Sequence, residues 1–493
     1  MDREQFKIEY VKRLNIYTVN QLRAYARYLE FRAATKITKK VELLEKLALV
    51  EAGELTPEGR TSVGKPPKNN DFPSEIIQIV KDLKTRYLDV PQEDVKSCVS
   101  ETQAQDFIDV PSRLVFGSDD TEEEHWTETV NKTVVRGQLK LLNGVSRLLP
   151  LDCGVEEEPI VVPEELIKGH GLREGDVVAC HTVQGKNVSV VKEVLTVNDT
   201  QLIFLKRGKF EENEVCYPHK AVPFVSENAS FVSAKYMEWL LPLYQGQRGA
   251  IFSAPKAGKT QLLYALVSSA LNVSQGVKVF VLLNAQSPET VWKFRNTVPE
   301  DQLVYTTYDD TPEKQVFAAD FILNRAKRFA ECGKNVVLFV DSFSALARAY
   351  NETGESSGGK TYTCGMESKT LQYMRRFLGS ARCFKQGGSL TLLGAVACDT
   401  GNPFDELLSL DISDLVNYQI RLNETLAAKR VYPAIDLPKS YTRTDGIVVE
   451  EKEHAYQQVC SEFLPAHGEE SLYKTLKSSE QFEDFLNKIG VKI

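Results

Sequence analysis

Apolar residues follow three different patterns along the chain. Behind Thr18 and again behind Thr38 they recur at helical spacing, and each threonine can cap the helix that follows it. Between residues 133 and 205 they form short strand-like runs at the spacing of a small antiparallel barrel. From about residue 224 onward apolar strands alternate with longer helical segments, which predicts a parallel sheet covered by helices on both faces. The predicted strands of that sheet are Gly249–Ser253, Lys278–Leu283, Val336–Val340 and Ser389–Val396.

The same patterns divide the chain into four segments. We predict a small all-α module of a nucleic-acid-binding type at residues 1–50, because Lys36, Lys39 and Lys40 lie at its turn and could hold phosphates; the alternative is a solvated basic turn on a small helical bundle. Residues 51–132 are predicted to be an acidic, largely flexible linker, because Pro, Gly, Asn, Asp and Glu are frequent there. Residues 133–205 are predicted to form an RNA-binding barrel of the oligonucleotide-binding or cold-shock type. Residues 224–493 are predicted to form an α/β domain with additional C-terminal helices.

Composition limits where such a chain can work. The formal net charge of -8 argues against nucleic-acid binding over the whole surface, although residues 1–50 hold 11 Lys and Arg against 6 Asp and Glu. No apolar stretch approaches the roughly 20 residues that span a bilayer, and the first residues begin no signal-peptide core, so we expect a cytoplasmic location and no membrane contact. The nine cysteines include no Cys-x-x-Cys pair, and we therefore expect reduced thiols and no structural zinc.

A phosphate-binding loop is the strongest chemical signal. It reads Ser253-Ala254-Pro255-Lys256-Ala257-Gly258-Lys259-Thr260, with Ser253 in place of the usual first glycine. In such loops backbone N–H groups and the N-terminus of the next helix hold the phosphates, Lys259 would reach the terminal ones, and Thr260 would bind magnesium. We also predict that Gln261, the next residue of the helix, contacts ATP. The alternative is an ordinary strand-to-helix turn.

A second metal-binding position follows at the end of a buried strand. Val336–Val340 runs into Asp341, and P-loop NTPases hold magnesium with an aspartate at such a strand end. Many strands end in aspartate, so this signal is weak by itself. Together with the loop it predicts ATP as the ligand, with Mg²⁺ held by Thr260 and Asp341.

Further motifs give the chain a resemblance to a known family. In order, they are Gly246-Gln247-Arg248-Gly249, Pro255 to Thr260, Thr307-Tyr308-Asp309, Asp341-Ser342, Leu346 to Asn351 and Lys429 to Asp436. In order and spacing they resemble the signatures of the Rho family of bacterial transcription termination factors. The resemblance implies a RecA-like P-loop ATPase domain in a hexameric ring, homomeric or mixed with another Rho. Such a ring would bind ATP between subunits and drive single-stranded RNA through its channel, stripping it from RNA polymerase transcription complexes.

The resemblance also implies roles around the nucleotide. Tyr432 matches the aromatic residue that stacks on adenine. Arg430 and Arg443 match arginines that are presented to the neighbouring subunit's nucleotide, where they would stabilise charge in the transition state. Lys256 belongs to the same catalytic set. For an isolated arginine the alternative is a surface salt bridge.

The chain departs from the family at the water-activating position. Gln286 stands where the family has the glutamate that activates water, and a neutral amide cannot take up the proton. General-base catalysis typically contributes about 10²- to 10⁴-fold, so we predict slow hydrolysis. A glutamine can still orient water, as in small GTPases, and hydrolysis is therefore not expected to vanish.

The RNA-binding positions also differ from the family. Lys360 and Thr361 resemble the first RNA-gripping channel loop, with a glycine-rich surface turn as the alternative. In the barrel, Val145 and Arg147 replace an aromatic pair, and loss of base stacking costs roughly 1 to 3 kcal/mol per base. Arg147 remains as a candidate for stacking or for phosphate binding. The run from Ser413 replaces a lysine-bearing second channel loop.

Two functions of different classes therefore remain open. The first is an ATP-dependent RNA translocase or helicase that terminates transcription. The second is a hydrolysis-impaired relative that binds ATP and RNA, or joins rings of other Rho subunits, as a regulator. A subunit of the rotary-synthase type would share the core and a noncatalytic glutamine, but it would not explain Leu346 to Asn351 or Lys429 to Asp436.

Overall fold

The structure is a computed structural model. It describes helix α1 (Lys40–Glu51), eight single positions in the first eighty residues, and most of the chain from residue 130 onward. The described ranges there are 130–142, 144–154, 160–184, 189–202, 207–225, 231–273, 276–353, 361–362, 364–443 and 450–490. The chain divides into two compact units, Met1–Pro111 and Ser112–Ile493.

In the first unit, α1 agrees with the helical pattern predicted behind Thr38. Its apolar stripe, formed by Leu43, Leu44 and Leu47, is buried. Three further positions behind Thr18 are helical and buried: Leu22, Tyr25 and Ala26. Tyr10, Val11 and Leu14 are also helical and buried. Most other residues of the predicted module and nearly all of the predicted linker lie outside the described residues, so the nucleic-acid-binding role of the module stays a prediction.

The second unit begins with a six-stranded sheet in the order β3-β2-β1-β4-β5-β6, which an additional pairing of β3 with β5 closes into a barrel. The strands are β1 Val130–Leu142, β2 Val145–Leu149, β3 Ile160–Val161, β4 Val177–Gln184, β5 Ser189–Val197 and β6 Thr200–Gln201. Helix α2 (Glu164–His170) connects β3 to β4. Alternating apolar side chains such as Leu139, Leu148 and Val178 fill the interior, as a half-buried antiparallel sheet requires.

A nine-stranded sheet forms the centre of the predicted ATPase region, with the main order β10-β9-β11-β13-β8-β14-β15. Its strands are β7 Val215–Cys216, β8 Arg248–Ser253, β9 Val277–Gln286, β10 Leu303–Thr307, β11 Asn335–Asp341, β12 Arg382–Phe384, β13 Ser389–Ala397, β14 Tyr418–Arg421 and β15 Tyr441–Thr442. The strands from β10 to β14 along this order run parallel, whereas β15, β12 and β7 pair antiparallel. The predicted parallel sheet is confirmed.

Helices cover both faces of this sheet. They are α3 Val232–Lys235, α4 Lys259–Val273, α5 Pro288–Arg295, α6 Pro312–Glu331, α7 Phe343–Glu352, α8 Ser368–Leu378, α9 Pro403–Leu415, α10 Glu424–Ala428, α11 Glu450–Gln458, α12 Leu464–Ser478 and α13 Phe482–Ile489. Successive residues of a strand pack into the hydrophobic cores on opposite faces of the sheet. Leu338 packs in the core that includes α6, and Phe339 packs in the core that includes α4. Because both faces are covered, the strands read as continuous apolar runs.

The barrel is anchored to the ATPase region through α6. Arg325 of this helix is fully buried, and its guanidinium donates to Gln138 Oε1 on β1 at 2.8 Å and to the Asp301 carbonyl at 2.9 Å. Burial lowers the pKa of Arg325 to about 10. At the end of α6, Glu331 accepts from Arg173 of the barrel at 2.8 Å. Buried polar groups of both parts therefore satisfy one another.

The segment after the barrel joins the central sheet earlier than predicted. Val215–Cys216 pairs with β12, which brings residues ahead of the predicted start at 224 into the sheet. Among the residues that the structure describes, no helix is both long and apolar enough to cross a membrane.

Candidate nucleotide-binding site

The phosphate-binding loop connects the buried strand β8 to the N-terminus of α4. Lys256 (φ 65°) and Gly258 (φ 96°) have left-handed backbone conformations, and a Cβ atom at Gly258 would lie 3.0 Å from a ring carbon of Tyr432. Glycine is therefore needed at 258 both for its conformation and for the close approach of the ring. Ser253 is fully buried, and its hydroxyl donates to the Ala254 carbonyl at 2.6 Å. The loop thus accommodates a serine in place of its first glycine.

Asp341 ends β11 beside this loop. Its side chain is almost fully buried, and none of the described residues hydrogen-bonds to its Oδ2 atom. Burial raises the pKa of Asp341, whereas the hydroxyl of Thr260 and the charge of Lys259 lower it. A buried carboxylate oxygen without a partner is costly, and a magnesium ion held by Asp341 and Thr260 would satisfy it. These residues therefore fit the metal that was predicted from the sequence.

Gln286 ends β9, the neighbouring strand of β11. Its side-chain Nε2 donates to the backbone carbonyl of Asp341 at 3.1 Å. The residue before it, Ala285, has φ 49°, and its N–H is held by the Thr306 hydroxyl at 3.0 Å. The amide is therefore held next to Asp341, with Oε1 left as an acceptor. Such an oxygen can accept a hydrogen bond from water but cannot take up its proton.

A cavity of about 320 Å³ opens between α4 and the loop that follows α10. Gly258, Gln261 and Tyr432 line it, as the predicted adenine site requires. The Tyr432 hydroxyl donates to the Ala427 carbonyl at 3.4 Å, which helps hold the ring against the loop. The structure thus brings an aromatic wall to the phosphate-binding loop from a segment far away in sequence.

Other side chains of this cavity were not singled out by the sequence. Tyr264 on α4 and Tyr473 on α12 line it, and Lys293 places its ammonium 3.9 Å from the Tyr264 ring centroid. All three lie in helical patterns that predict ordinary packing. Helix α12 packs against α3, and α3 packs against α4, which brings Tyr473 to the same cavity as Tyr264.

The two arginines that were predicted to act between subunits lie in different parts of the structure. Arg430 is exposed, has φ 62°, and closes the turn after α10, two positions before Tyr432. Arg443 follows β15, and its N–H donates to the Asn417 carbonyl at the start of β14. Because β14 runs parallel to β8, Arg443 lies at the amino ends of these strands, opposite the phosphate-binding loop. The structure therefore does not bring Arg443 to the loop of its own chain.

Comparison with known proteins places the chain in a family. Residues 233–442 match the nucleotide-binding domain of the ATP synthase alpha/beta family. Transcription termination factor Rho of Karelsulcia muelleri is 33% identical over 276 residues, which cover 56% of this chain and 72% of that protein. Its counterpart in Bacillus subtilis is 30% identical over 367 residues, which cover 72% of this chain and 85% of that protein. The chain belongs to the Rho family.

Coverage differs among the Rho relatives. The Rho of Rhodopirellula baltica is 33% identical over 278 residues, and the chain spans only 54% of its length. Two ATPases of type III secretion systems have related solved structures, with identities of 21% and 17% and TM-scores of 0.46 and 0.47. The first match covers 56% of this chain and 85% of the other chain, and the second covers 73% of this chain and 99% of the other chain.

The RNA-binding positions predicted for this Rho-family chain lie away from the loop. On β2, Val145 is exposed, and Arg147 is half-buried opposite Lys140 of β1. Thr361 is exposed and bridges to Glu367, whereas Lys360 lies outside the described residues. The positions compared with the second channel loop form the last turn of α9, where the Ser413 hydroxyl donates to Gln419 at 3.1 Å. No lysine is available for RNA in that turn of α9.

Proposed function

We propose that this chain is a Rho-type, ATP-dependent RNA translocase that works as a hexameric ring. The observation that carries the proposal is the buried Asp341: its carboxyl interacts with Thr260 and Lys259, and its Oδ2 has no hydrogen-bond partner among the described residues. This arrangement supports binding of Mg-ATP by the loop from Ser253 to Gln261. Bound magnesium would neutralise charge on the terminal phosphates. Tyr432 would stack on the adenine.

In this proposal Gln286 orients the attacking water without taking its proton. Its Nε2 is occupied by the Asp341 carbonyl, so Oε1 is the atom left for water. Lys256 would assist at the phosphates, while Arg430 and Arg443 would act on the nucleotide of a neighbouring subunit. The position of Arg443 opposite its own loop supports such a role between subunits. We expect turnover to be slow because no carboxylate replaces Gln286.

Single-stranded RNA is the proposed polymer, with Arg147, Lys360 and Thr361 among its contacts. The relatives named transcription termination factor Rho support release of RNA from RNA polymerase transcription complexes as the proposed outcome. A hydrolysis-impaired regulator, alone or in mixed rings with another Rho, is the second candidate. The neutral amide of Gln286 is the observation that favours it.

The test compares ATP binding and ATP turnover in the full-length protein, with and without poly(C) RNA. RNA-stimulated turnover is expected if the chain is a translocase, whereas tight ATP binding without turnover in either condition would favour the regulator. Lys259→Ala is expected to abolish binding of Mg-ATP, because the terminal phosphates lose their cation. Lys439→Ala, which removes an exposed lysine paired with Asp436, serves as the matched control. Unchanged nucleotide affinity in Lys259→Ala would refute the site itself.

A further inference from the structure

Two thiols and an imidazole gather outside the nucleotide site. Because β7 and β12 pair antiparallel, Cys216 lies directly opposite Cys383, and their Sγ atoms are 3.3 Å apart. A ring nitrogen of His219 joins them, so that the three ligand atoms lie within 4.8 Å of one another. Cys216 and His219 are separated by two residues, and a ring nitrogen of His219 contacts the carbonyl of Tyr217 between them. No part of the proposed ATPase chemistry uses these residues.

We propose that Cys216, His219 and Cys383 bind a zinc ion. Two thiolates and one imidazole are ligands that zinc prefers, and three protein ligands leave the fourth tetrahedral position to water. This site goes beyond the proposed function, since neither ATP nor RNA takes part in it. It also differs from the absence of structural zinc expected from the cysteine spacing, because Cys383 comes from a distant strand.

The distance between the sulfur atoms supports a shared cation over a disulfide. Two thiolates that each lie about 2.3 Å from one tetrahedral zinc ion are separated by about 3.8 Å. The sulfur atoms of a disulfide are separated by only about 2.05 Å. The observed 3.3 Å lies nearer to the separation around zinc. A small outward rotation of either side chain would open the space for the ion.

The orientation of His219 supports the same ligand set. Its Nδ1 lies 3.1 Å from the Tyr217 carbonyl, so an N–H at Nδ1 donates to that oxygen. This hydrogen bond leaves the lone pair of Nε2 for a ligand. Zinc-bound histidines usually donate their second ring N–H to a carbonyl or carboxylate in this way, which fixes the tautomer and the ring orientation.

One lysine beside the cluster is already paired with a carboxylate. Lys385, two positions beyond Cys383, is paired with Glu214 at 2.9 Å, which balances its charge. Cys383 is buried and His219 is exposed, so the cluster has an open side toward solvent. A zinc ion there would fasten the segment that leaves the barrel to the antiparallel corner of the central sheet.

The experiment uses the full-length protein, purified under reducing conditions, stripped with a chelator and reloaded with Zn²⁺ or Co²⁺. We expect about one tightly bound ion per chain and, with Co²⁺, a thiolate-to-cobalt charge-transfer band. Cys216→Ser, Cys383→Ser and His219→Ala should each weaken zinc binding more than about tenfold. Cys460→Ser, which removes a half-buried thiol in the C-terminal helices, should leave zinc binding unchanged.

The wild-type protein alone can overturn the proposal. If the folded, reduced chain takes up neither Zn²⁺ nor Co²⁺ at micromolar free metal, the site does not exist, whatever the variants do. A Cys216–Cys383 disulfide in protein that was never exposed to oxidant, found by peptide mapping, would refute it as well. Mg-ATP affinity measured on the same samples separates this outcome from a failure of the proposed nucleotide site.

Discussion

At the scale of single residues, the proposed role of Asp341 as a magnesium ligand would couple its protonation to metal binding. Burial raises its pKa, so its carboxyl takes up a proton at a higher pH than an exposed aspartate does. In the metal-free protein an acid whose pKa is raised by folding stabilises the folded chain as pH falls through that pKa. Magnesium binds the carboxylate and not the protonated acid. The magnesium affinity of such a site therefore decreases as the pH falls, whereas the stability of the metal-free protein increases.

We expect the contribution of Asp341 to Mg-ATP affinity to decrease as the pH is lowered from neutrality toward the raised pKa. The quantity to measure is the affinity ratio of wild type to Asp341→Asn, by calorimetric titration at several pH values, because titration of the nucleotide itself cancels in this ratio. The ratio should be large at neutral pH and approach one in acid. A ratio that does not change with pH would mean that the carboxylate does not bind the metal.

The water-activating position gives a second prediction. Gln286→Glu should raise ATP hydrolysis at least roughly tenfold, because a carboxylate can take the proton that the amide cannot. The variant also loses the hydrogen bond from Nε2 to the Asp341 carbonyl. The new carboxylate must therefore turn away from that oxygen. For this reason the smallest increase in hydrolysis rate that we expect lies well below the full general-base effect. Steady-state phosphate release with and without RNA is the measurement.

Gln286→Ala is the matched control for this change. It removes both the amide and any acceptor for water, so turnover should fall below that of the unaltered protein. If the unaltered protein already turns over ATP about once per second or faster, Gln286 does not limit the reaction. The regulator interpretation would then fail.

At the scale of elements, the buried strands were predictable and their short antiparallel neighbours were not. The runs behind β8, β9, β11 and β13 are apolar at most positions, with exceptions such as Lys278 and Thr391, because parallel strands that are covered on both faces are mostly buried. The loop before Lys259 was predictable for a similar reason, since its residue types are fixed by phosphate binding. β7 and β12 are too short to show any period, and only pairing between distant segments defines them.

Individual contacts between distant elements were equally hidden. Arg325 lies in an amphipathic helical pattern in which an arginine predicts exposure, yet it is fully buried. The cavity beside the phosphate-binding loop is lined by Tyr432, which the family resemblance identified, and by Tyr473, which nothing in its helix distinguishes. Residue type therefore predicted the chemistry of the loop, whereas the walls of the site depend on tertiary packing.

The barrel offers a prediction at this scale. Val145→Phe with Arg147→Phe should tighten binding of poly(C) to the full-length chain by at least about tenfold, because each aromatic ring supplies roughly 1 to 3 kcal/mol of base stacking. Val134→Phe adds a ring at an exposed position of β1 and is the control. Fluorescence anisotropy at fixed salt is the measurement. Tight RNA binding by the unaltered chain would show that other residues have replaced the aromatic pair.

At the scale of the whole second unit, Arg325 holds the barrel on the ATPase region. Arg325→Met should lower the free energy of unfolding by about 3 kcal/mol, because Gln138 Oε1 and the Asp301 carbonyl lose their buried donor. Arg376→Met, an exposed arginine of α8, should cost little. Urea unfolding followed by circular dichroism is the measurement. Equal losses in the two variants would contradict a special role for the buried guanidinium.

Helix α6 has a mechanical consequence. Its 20 residues make a rod about 30 Å long, with its first turn beside the strand that pairs with Gln286 and its last turn bound to the barrel. A tilt of about 5° at the nucleotide end would displace the barrel end by about 2.6 Å, comparable to half a helical turn. If the barrel binds RNA as proposed, a force applied to that RNA would act through the same helix on the segment around Gln286.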